Sequence, residues 1–247
     1  MKTYKTLLKT ELQLSIRGMD MLIFAVIMPI IVLVVLGVIY GDKPAFEGAS
    51  YTFVQQSFGG LASISIIAGG VMGLPLVVSD YRGKRILKRF KVTPISPITI
   101  LLSQVTMYII YSLSSLISLF AVAWIFFGFR MEGSILQFLA GWILVMVSMF
   151  SIGVMVGGIA KNSKVAGVIA SLLYFPMLVF SGATLPYEVM PVTMQKIVDI
   201  LPLTQGIKIL KSTTLGLPLD SILLPIIILV VIAVICLFIA IRFFRWE

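Results

Sequence analysis

The 247 residues are 60% hydrophobic and only 12% charged, where an ordinary soluble domain is about 25% charged, so the chain has too little polar surface to cover a core in water. Its solvent is lipid, and the formal charge of +9 becomes a question of which side of the membrane holds it, with no nucleic-acid partner expected. With no His and one Cys, Cys236 inside an apolar run, there is no material for disulfides or for His- or Cys-based metal or catalytic centres beyond that thiol.

In chain order, residues 1–18 form an amphipathic leader rather than a signal peptide. The apolar stretch after them is longer than a typical h-region, and no small-x-small cleavage site follows it. Tyr4, Leu7, Leu8, Leu12 and Leu14 share one helical face, opposite Lys2, Lys5, Lys9, Gln13 and Arg17. Such a helix suits the headgroup layer of a membrane. Glu11 intrudes on the apolar face, either pairing with a basic residue elsewhere or reaching water at the interface.

Six segments are long enough to span about 30 Å of hydrocarbon: Met21–Tyr40, Ser57–Val78, Ile98–Phe127, Ile135–Ile159, Val165–Phe180 and Ile222–Phe243. None of their interiors contains Asp, Glu, Lys or Arg. With the N-terminus inside, fourteen of the 19 Lys and Arg fall on the cytoplasmic side. This bias predicts that both termini are cytoplasmic. Pro29, Pro75, Pro176 and Pro225 each remove a backbone donor within a span and are expected to bend it. Gly69/Gly73 and Gly153/Gly157 have GxxxG spacing and offer close-packing surfaces.

Between spans 2 and 3, residues 80–97 read DYRGKRILKRFKVTPISP, with six basic residues in ten positions. Ile86, Leu87 and Phe90 fall on one helical arc with Gly83 between them, and the basic residues fill the rest of the circle. A basic loop needs no apolar face, so this segment is read as a cytoplasmic docking helix that ends before Pro94. In span 3, Gln104, Tyr108, Tyr111, Ser115 and Ser118 recur at spacings of four, three, four and three, making one polar stripe. Polar groups avoid lipid, and the stripe serves either interhelical hydrogen bonding or the lining of a substrate path. Residues 181–220 are too apolar for a free linker. Pro191 suits a helix start and Pro202 its end, and Met194, Ile197, Val198 and Leu201 line one face of a short helix dipping into the outer leaflet.

Two of these stretches carry a resemblance. Asp80, Arg82, Leu87, Thr93, Pro94 and Ser96 follow the cytoplasmic pattern of the type-2 ABC-transporter permeases, although the glycine is shifted to Gly83 and the segment is more basic. Phe180-Ser181-Gly182, Leu185-Pro186, Pro191 and Leu201-Pro202-Leu203-Thr204 are similar to the outer signature of the same family, in which Gly182, Pro186, Pro191 and Pro202 stand out. The resemblance covers essentially the whole chain. It implies an all-α integral membrane protein forming a single six-span domain over 1–247, with an interfacial leader, a coupling helix between spans 2 and 3, and short re-entrant or interfacial helices between spans 5 and 6. Arg82, Gly83, Ile86, Leu87 and Phe90 would then couple it to a separate ATPase subunit.

The family further implies a homodimer or heterodimer of permeases in a bacterial or archaeal cytoplasmic membrane, exporting a drug, antibiotic, peptide or lipid. The chain itself is expected to be no enzyme and to hold no cofactor, with ATP and Mg on the partner subunit. Nothing resembles GxxxxGKS. The rival readings are an ATPase-independent channel or secondary carrier, disfavoured by the lack of an ionisable residue at the midplane, and a membrane enzyme, for which the only acids lie in loops and termini.

Overall fold

A computed structural model describes residues 2–41, 43–46, 48–84, 96–184, 187 and 190–243. Among them the structure is helical, with no strand beyond one isolated bridge between Pro44 and Thr52. Six helices are long and apolar enough to cross a membrane, as the hydropathy pattern predicts. The leader occupies Lys2–Gly18 and span 1 Asp20–Tyr40. Met19 between them adopts a left-handed conformation, φ 58°, which turns the chain sharply, at a cost of about 1 kcal/mol for a residue with a Cβ.

Span 2 runs over Phe53–Gly83, a turn longer at each end than the Ser57–Val78 expected from hydropathy. Its start is fixed by a reciprocal cap. The Thr52 hydroxyl accepts from the Gln55 backbone N–H at 3.2 Å, and the Gln55 side chain accepts from the Thr52 N–H at 2.8 Å. Its last turn contains Asp80 and Arg82, so this helix does carry charge, at its end. The remaining spans cover Pro97–Phe127, Ile135–Ile159, Ser163–Phe180 and Leu223–Phe243.

Span 2 is the axis of the molecule, buried on nearly every side and touching spans 1, 3, 4 and 5. In lipid, apolar faces gain little by leaving their solvent, so close packing and hydrogen bonds must hold helices together. Span 2 supplies that closeness. Gly153 of span 4 lies against the carbonyl oxygen of Gly70, and Gly157 against Pro75 and Val78. On another side, Gly69 and Gly73 form a seat for the Tyr108 ring of span 3. Both GxxxG pairs are therefore packing surfaces.

Two of the expected proline bends take a particular form. Pro29 and Pro75 each follow a π-helical stretch, Ile23–Ile27 and Ala68–Gly73, where the missing proline N–H is accommodated by a shift of hydrogen-bond register. Pro225 instead sits in the first turn of the span 6 helix, where a missing donor costs little.

One end of the bundle, hereafter the basic end, carries the leader, Lys84, the turn at 160–162 and Arg242. The far end carries 41–52, 128–134 and 181–222. There the stretch between spans 5 and 6 forms two helices, Val192–Val198 and Pro202–Leu215. Pro202 does not merely end the first; it opens the second, and Pro191 caps the first rather than lying in its first turn. The apolar face expected on the first helix is only partly realised, since Val198 is buried but Ile197 is 64% exposed. The second helix is buried between spans 2, 4 and 6.

Candidate functional site

The leader places polar groups against spans 2 and 3. Tyr4 donates to Thr106 Oγ1 at 2.6 Å and Tyr111 to Ser15 Oγ at 3.0 Å, pinning both ends of the leader to span 3. Among the described residues Glu11 meets no basic partner, and it does not simply face water. Its carboxylate accepts from the Tyr81 hydroxyl at 2.6 Å, and Tyr81 in turn accepts from Gln104 Nε2 at 3.1 Å. Of the span 3 stripe, Gln104, Tyr108, Tyr111 and Ser115 are buried and Ser118 is half-buried. Gln104 and Tyr108 come together at one cavity; Tyr111, Ser115 and Ser118 do not line it.

That cavity, about 480 Å³, opens at the basic end between the leader, the start of span 1, the end of span 2 and span 3. Glu11, Asp20 and Asp80 lie in its wall with Tyr81, Gln104 and Tyr108, and no Lys or Arg is among the described residues that line it. Leu14, expected to lie on the membrane face of the leader, is 58% exposed and faces this cavity. A second cavity of about 220 Å³ lies between spans 1, 2 and 5. It is walled by Phe24, Met28, Ala68, Met72, Tyr174 and Phe175 among others, and is almost wholly apolar. Met21 lines both, and the π-helical stretch of span 2 borders both, through Gly73 on the larger and Ala68 and Met72 on the smaller.

The sequence pattern puts Arg82 and Gly83 on a docking helix, but here they form the last turn of span 2. The Arg82 guanidinium reaches across to span 4, where Nη1 donates to the carbonyls of Gly157, Gly158 and Ala160 at 2.9, 2.8 and 3.0 Å. These are the carbonyls that a helix C-terminus leaves unpaired, and a cation there also opposes the helix dipole. Lys84 pairs with Asp80 one turn back at 2.8 Å. Ile86, Leu87 and Phe90 lie outside the described residues.

At the far end, Gly182 follows span 5 with φ 97°, a conformation that favours glycine. Its carbonyl lies against Gly60 of span 2, where a Cβ would approach it to 2.7 Å. Pro186 lies outside the described residues. Asp199, after the first far-end helix, holds the second. Its carboxylate takes Lys208 Nζ at 2.6 Å and the Tyr187 hydroxyl at 3.1 Å, and its carbonyl accepts from Gln205 at 2.6 Å. Reasoning from sequence missed the Glu11–Tyr81–Gln104 chain, Asp20 and the second cavity, because each is assembled from distant segments. No cluster of His, Cys, Asp or Glu able to hold a metal ion occurs among the described residues.

The protein-family model for the ABC-2 type transporter matches residues 2–215. The inner membrane transport permease YhhJ of Escherichia coli K12 is 28% identical over 160 residues, which is 63% of this chain and 42% of that protein. A protein of the same name from Shigella flexneri matches to the same extent. Nodulation protein J of Rhizobium leguminosarum bv. viciae is 32% identical over 93 residues, 38% of this chain and 34% of that protein. The chain thus matches less than half the length of these curated relatives. Six apolar helices, a leader docked across them and a family match over most of the chain lead to one conclusion: this integral membrane protein belongs to the ABC-2 type transporter family.

Proposed function

We propose that the chain is the permease subunit of an exporter of the ATP-binding-cassette class, moving a hydrophobic or amphipathic cargo outward with ATP and Mg bound and hydrolysed on a separate subunit. The observation that carries this reading is the continuity of span 2. The most buried of the six spans runs unbroken to Gly83, and its last turn is latched to span 4 through Arg82. Directly after it comes the basic segment with the Ile86–Leu87–Phe90 face. A displacement of that segment by an ATPase would act on the one helix packed against spans 1, 3, 4 and 5. In this reading the basic end faces the cytoplasm, and a second copy or a similar permease completes the transporter.

The cargo route in this reading starts at the basic-end cavity and continues into the apolar one, which share Met21 and the π-helical stretch of span 2. Such stretches occur often at functional sites. Tyr111, Ser115 and Ser118 then serve the packing of span 3, while Gln104 and Tyr108 border the route. The chain supplies binding, orientation and movement and does no chemistry of its own.

The test is co-purification with the cognate ATPase and cargo-stimulated ATP hydrolysis. Leu87→Asp with Phe90→Asp removes apolar burial of roughly 1.5–3 kcal/mol per side chain and is expected to detach or uncouple the ATPase while the permease stays folded. Lys84→Gln with Lys88→Gln is expected to do much less, with an effect that shrinks at high salt. Normal coupling in the aspartate variant would move the joint elsewhere.

A further inference from the structure

We propose that the apolar cavity between spans 1, 2 and 5 is a binding site for compact, uncharged molecules that carry a hydrogen-bond acceptor on an apolar body, such as hydrophobic ketones. This deepens the permease reading by naming a class of cargo, and it rests on that reading only for its use in transport. No Asp, Glu, Lys or Arg is among the described residues that line the cavity, and a charge placed within the bilayer would find no partner there. Met21, Met28 and Met72 stand around it with Phe24 and Phe175, and thioethers adapt to the shape of an occupant and pack well on rings. Its volume of about 220 Å³ is below the roughly 300–1,000 Å³ of drug-sized pockets, which keeps the occupant compact. Phe24, Met28 and Phe175 are each about half exposed, so the cavity opens sideways to the membrane, the phase in which such molecules concentrate.

The second observation is the Tyr174 hydroxyl. Tyr174 lines the cavity and is 8% exposed, and its hydroxyl makes no hydrogen bond among the described residues. Ser112, Ser115 and Ser148 also hold unpartnered hydroxyls, but those are sealed within the protein, whereas the Tyr174 oxygen is not. Thr184, the other hydroxyl on the wall, already donates to the Leu178 carbonyl at 3.0 Å. The Phe175 ring stands edge-on to the phenol, centroids 5.4 Å apart, and braces it in place. A phenol has one hydrogen to donate, and in hydrocarbon no water takes it. A carbonyl or ether oxygen on an occupant would take it. A lipid chain fills the space but leaves the donor unmet, so the site favours an acceptor-bearing molecule over the surrounding lipid.

The test uses the full-length permease alone, in phosphatidylcholine nanodiscs, with benzophenone as probe. Excited by light, this ketone joins to nearby C–H groups, those of methionine readily, and mass spectrometry of the peptides locates it. Saturable labelling is expected at Met28 and Met72. Dicyclohexyl ketone and dicyclohexylmethane, which differ only in a C=O for a CH₂, then compete at matched concentrations in the lipid. The ketone is expected to displace the probe about fivefold more effectively. Tyr174→Phe is expected to erase that ratio, and Tyr40→Phe, away from the cavity, to leave it unchanged. Ala68→Phe, which fills the cavity from the π-helical stretch of span 2, is expected to abolish labelling there. Because the decisive readout is a ratio between competitors on one protein, a partly misfolded variant cannot mimic it. Equal displacement by the two in the unaltered protein would mean that the cavity takes any hydrocarbon, lipid chains included, and would overturn the proposal. So would a ratio untouched by Tyr174→Phe. A lack of labelling together with a ready disulfide between two Met28→Cys copies would give the face to a second copy instead. No ATPase or nucleotide is present, so ketone binding without ATP-driven transport would count against the export reading alone. ATP-driven transport of another cargo without ketone binding would count against this site alone.

Discussion

Arg82 is the residue whose role changes most between pattern and structure. In the sequence it is one of six cations in a short basic run, set apart by its place in the family pattern, which assigns it to coupling. In the structure its guanidinium closes the C-terminus of span 4, the two hydrogens of one nitrogen being shared among three carbonyls. Replacing it with Ala removes charge-assisted bonds and a favourable dipole interaction, and is expected to cost about 2 kcal/mol. Arg82→Lys keeps the charge and is expected to recover about half of that. Thermal unfolding in nanodiscs checks both, and equal stability of wild type and Arg82→Ala would mean that the latch carries no net energy. Glu11 was misread for a related reason. Helical periodicity identifies neighbours on the same helix, whereas the partner of Glu11 is a tyrosine 70 residues away. Nor did it suggest that an intruding carboxylate would be satisfied by a neutral hydroxyl. The interhelical bond from Tyr111 to Ser15 is of the same kind, and Tyr111→Phe is expected to cost only about 0.6 kcal/mol, the usual worth of such a bond in a membrane.

At the scale of elements, hydropathy and spacing located all six spans, because an apolar run of that length has few other uses. Span 2 looks like its neighbours in composition, yet it is the helix that the others surround. Its glycines hint at this, but the seat for Tyr108 and the contact of Gly153 with Gly70 arise only when segments far apart in sequence meet. The second far-end helix was hidden for a different reason. Its buried face includes Thr204, Gln205, Ser212, Thr213 and Thr214, which read as loop. Thr213 and Thr214 donate back to the Ile209 and Leu210 carbonyls of their own helix, so burying them leaves no donor unmet and needs no partner visible in the sequence. The packing argument has a two-sided test. Gly153→Ala places a methyl against the Gly70 carbonyl oxygen, a backbone atom that cannot rotate away, and is expected to cost about 3 kcal/mol or more. Gly167→Ala in span 5 meets only the Leu76 side chain at 3.4 Å and is expected to be neutral or to stabilise by up to about 1 kcal/mol, through helix propensity. Similar melting of the two variants would show that span 2 is not held by close approach.

At the scale of the whole molecule, the two ends have different tasks, and the assignment of each depends on orientation. In sequence, fourteen of the 19 Lys and Arg belong to the leader, the segment between spans 2 and 3, the turn between spans 4 and 5 and the C-terminal stretch, and each basic residue near an anionic leaflet is worth about 1 kcal/mol. The preference for placing the basic end in the cytoplasm is therefore large compared with any single packing term. If it holds, the larger, carboxylate-walled cavity opens to the cytoplasm and the far-end helices form the opposite, outer surface, the arrangement an exporter requires. If it were reversed, the same cavity would open to the outside. Exposed positions at each end distinguish the two. In a Cys236→Ser background, which removes the buried native thiol, Lys9→Cys and Lys161→Cys are expected to react with an impermeant maleimide only after the cells are opened. Lys43→Cys and Lys196→Cys are expected to react in intact cells. All four side chains are exposed, so a failure to label cannot be assigned to burial within the chain. Labelling of Lys161→Cys in intact cells would invert the topology and would remove the export direction, while leaving the fold and the Arg82 latch as they are.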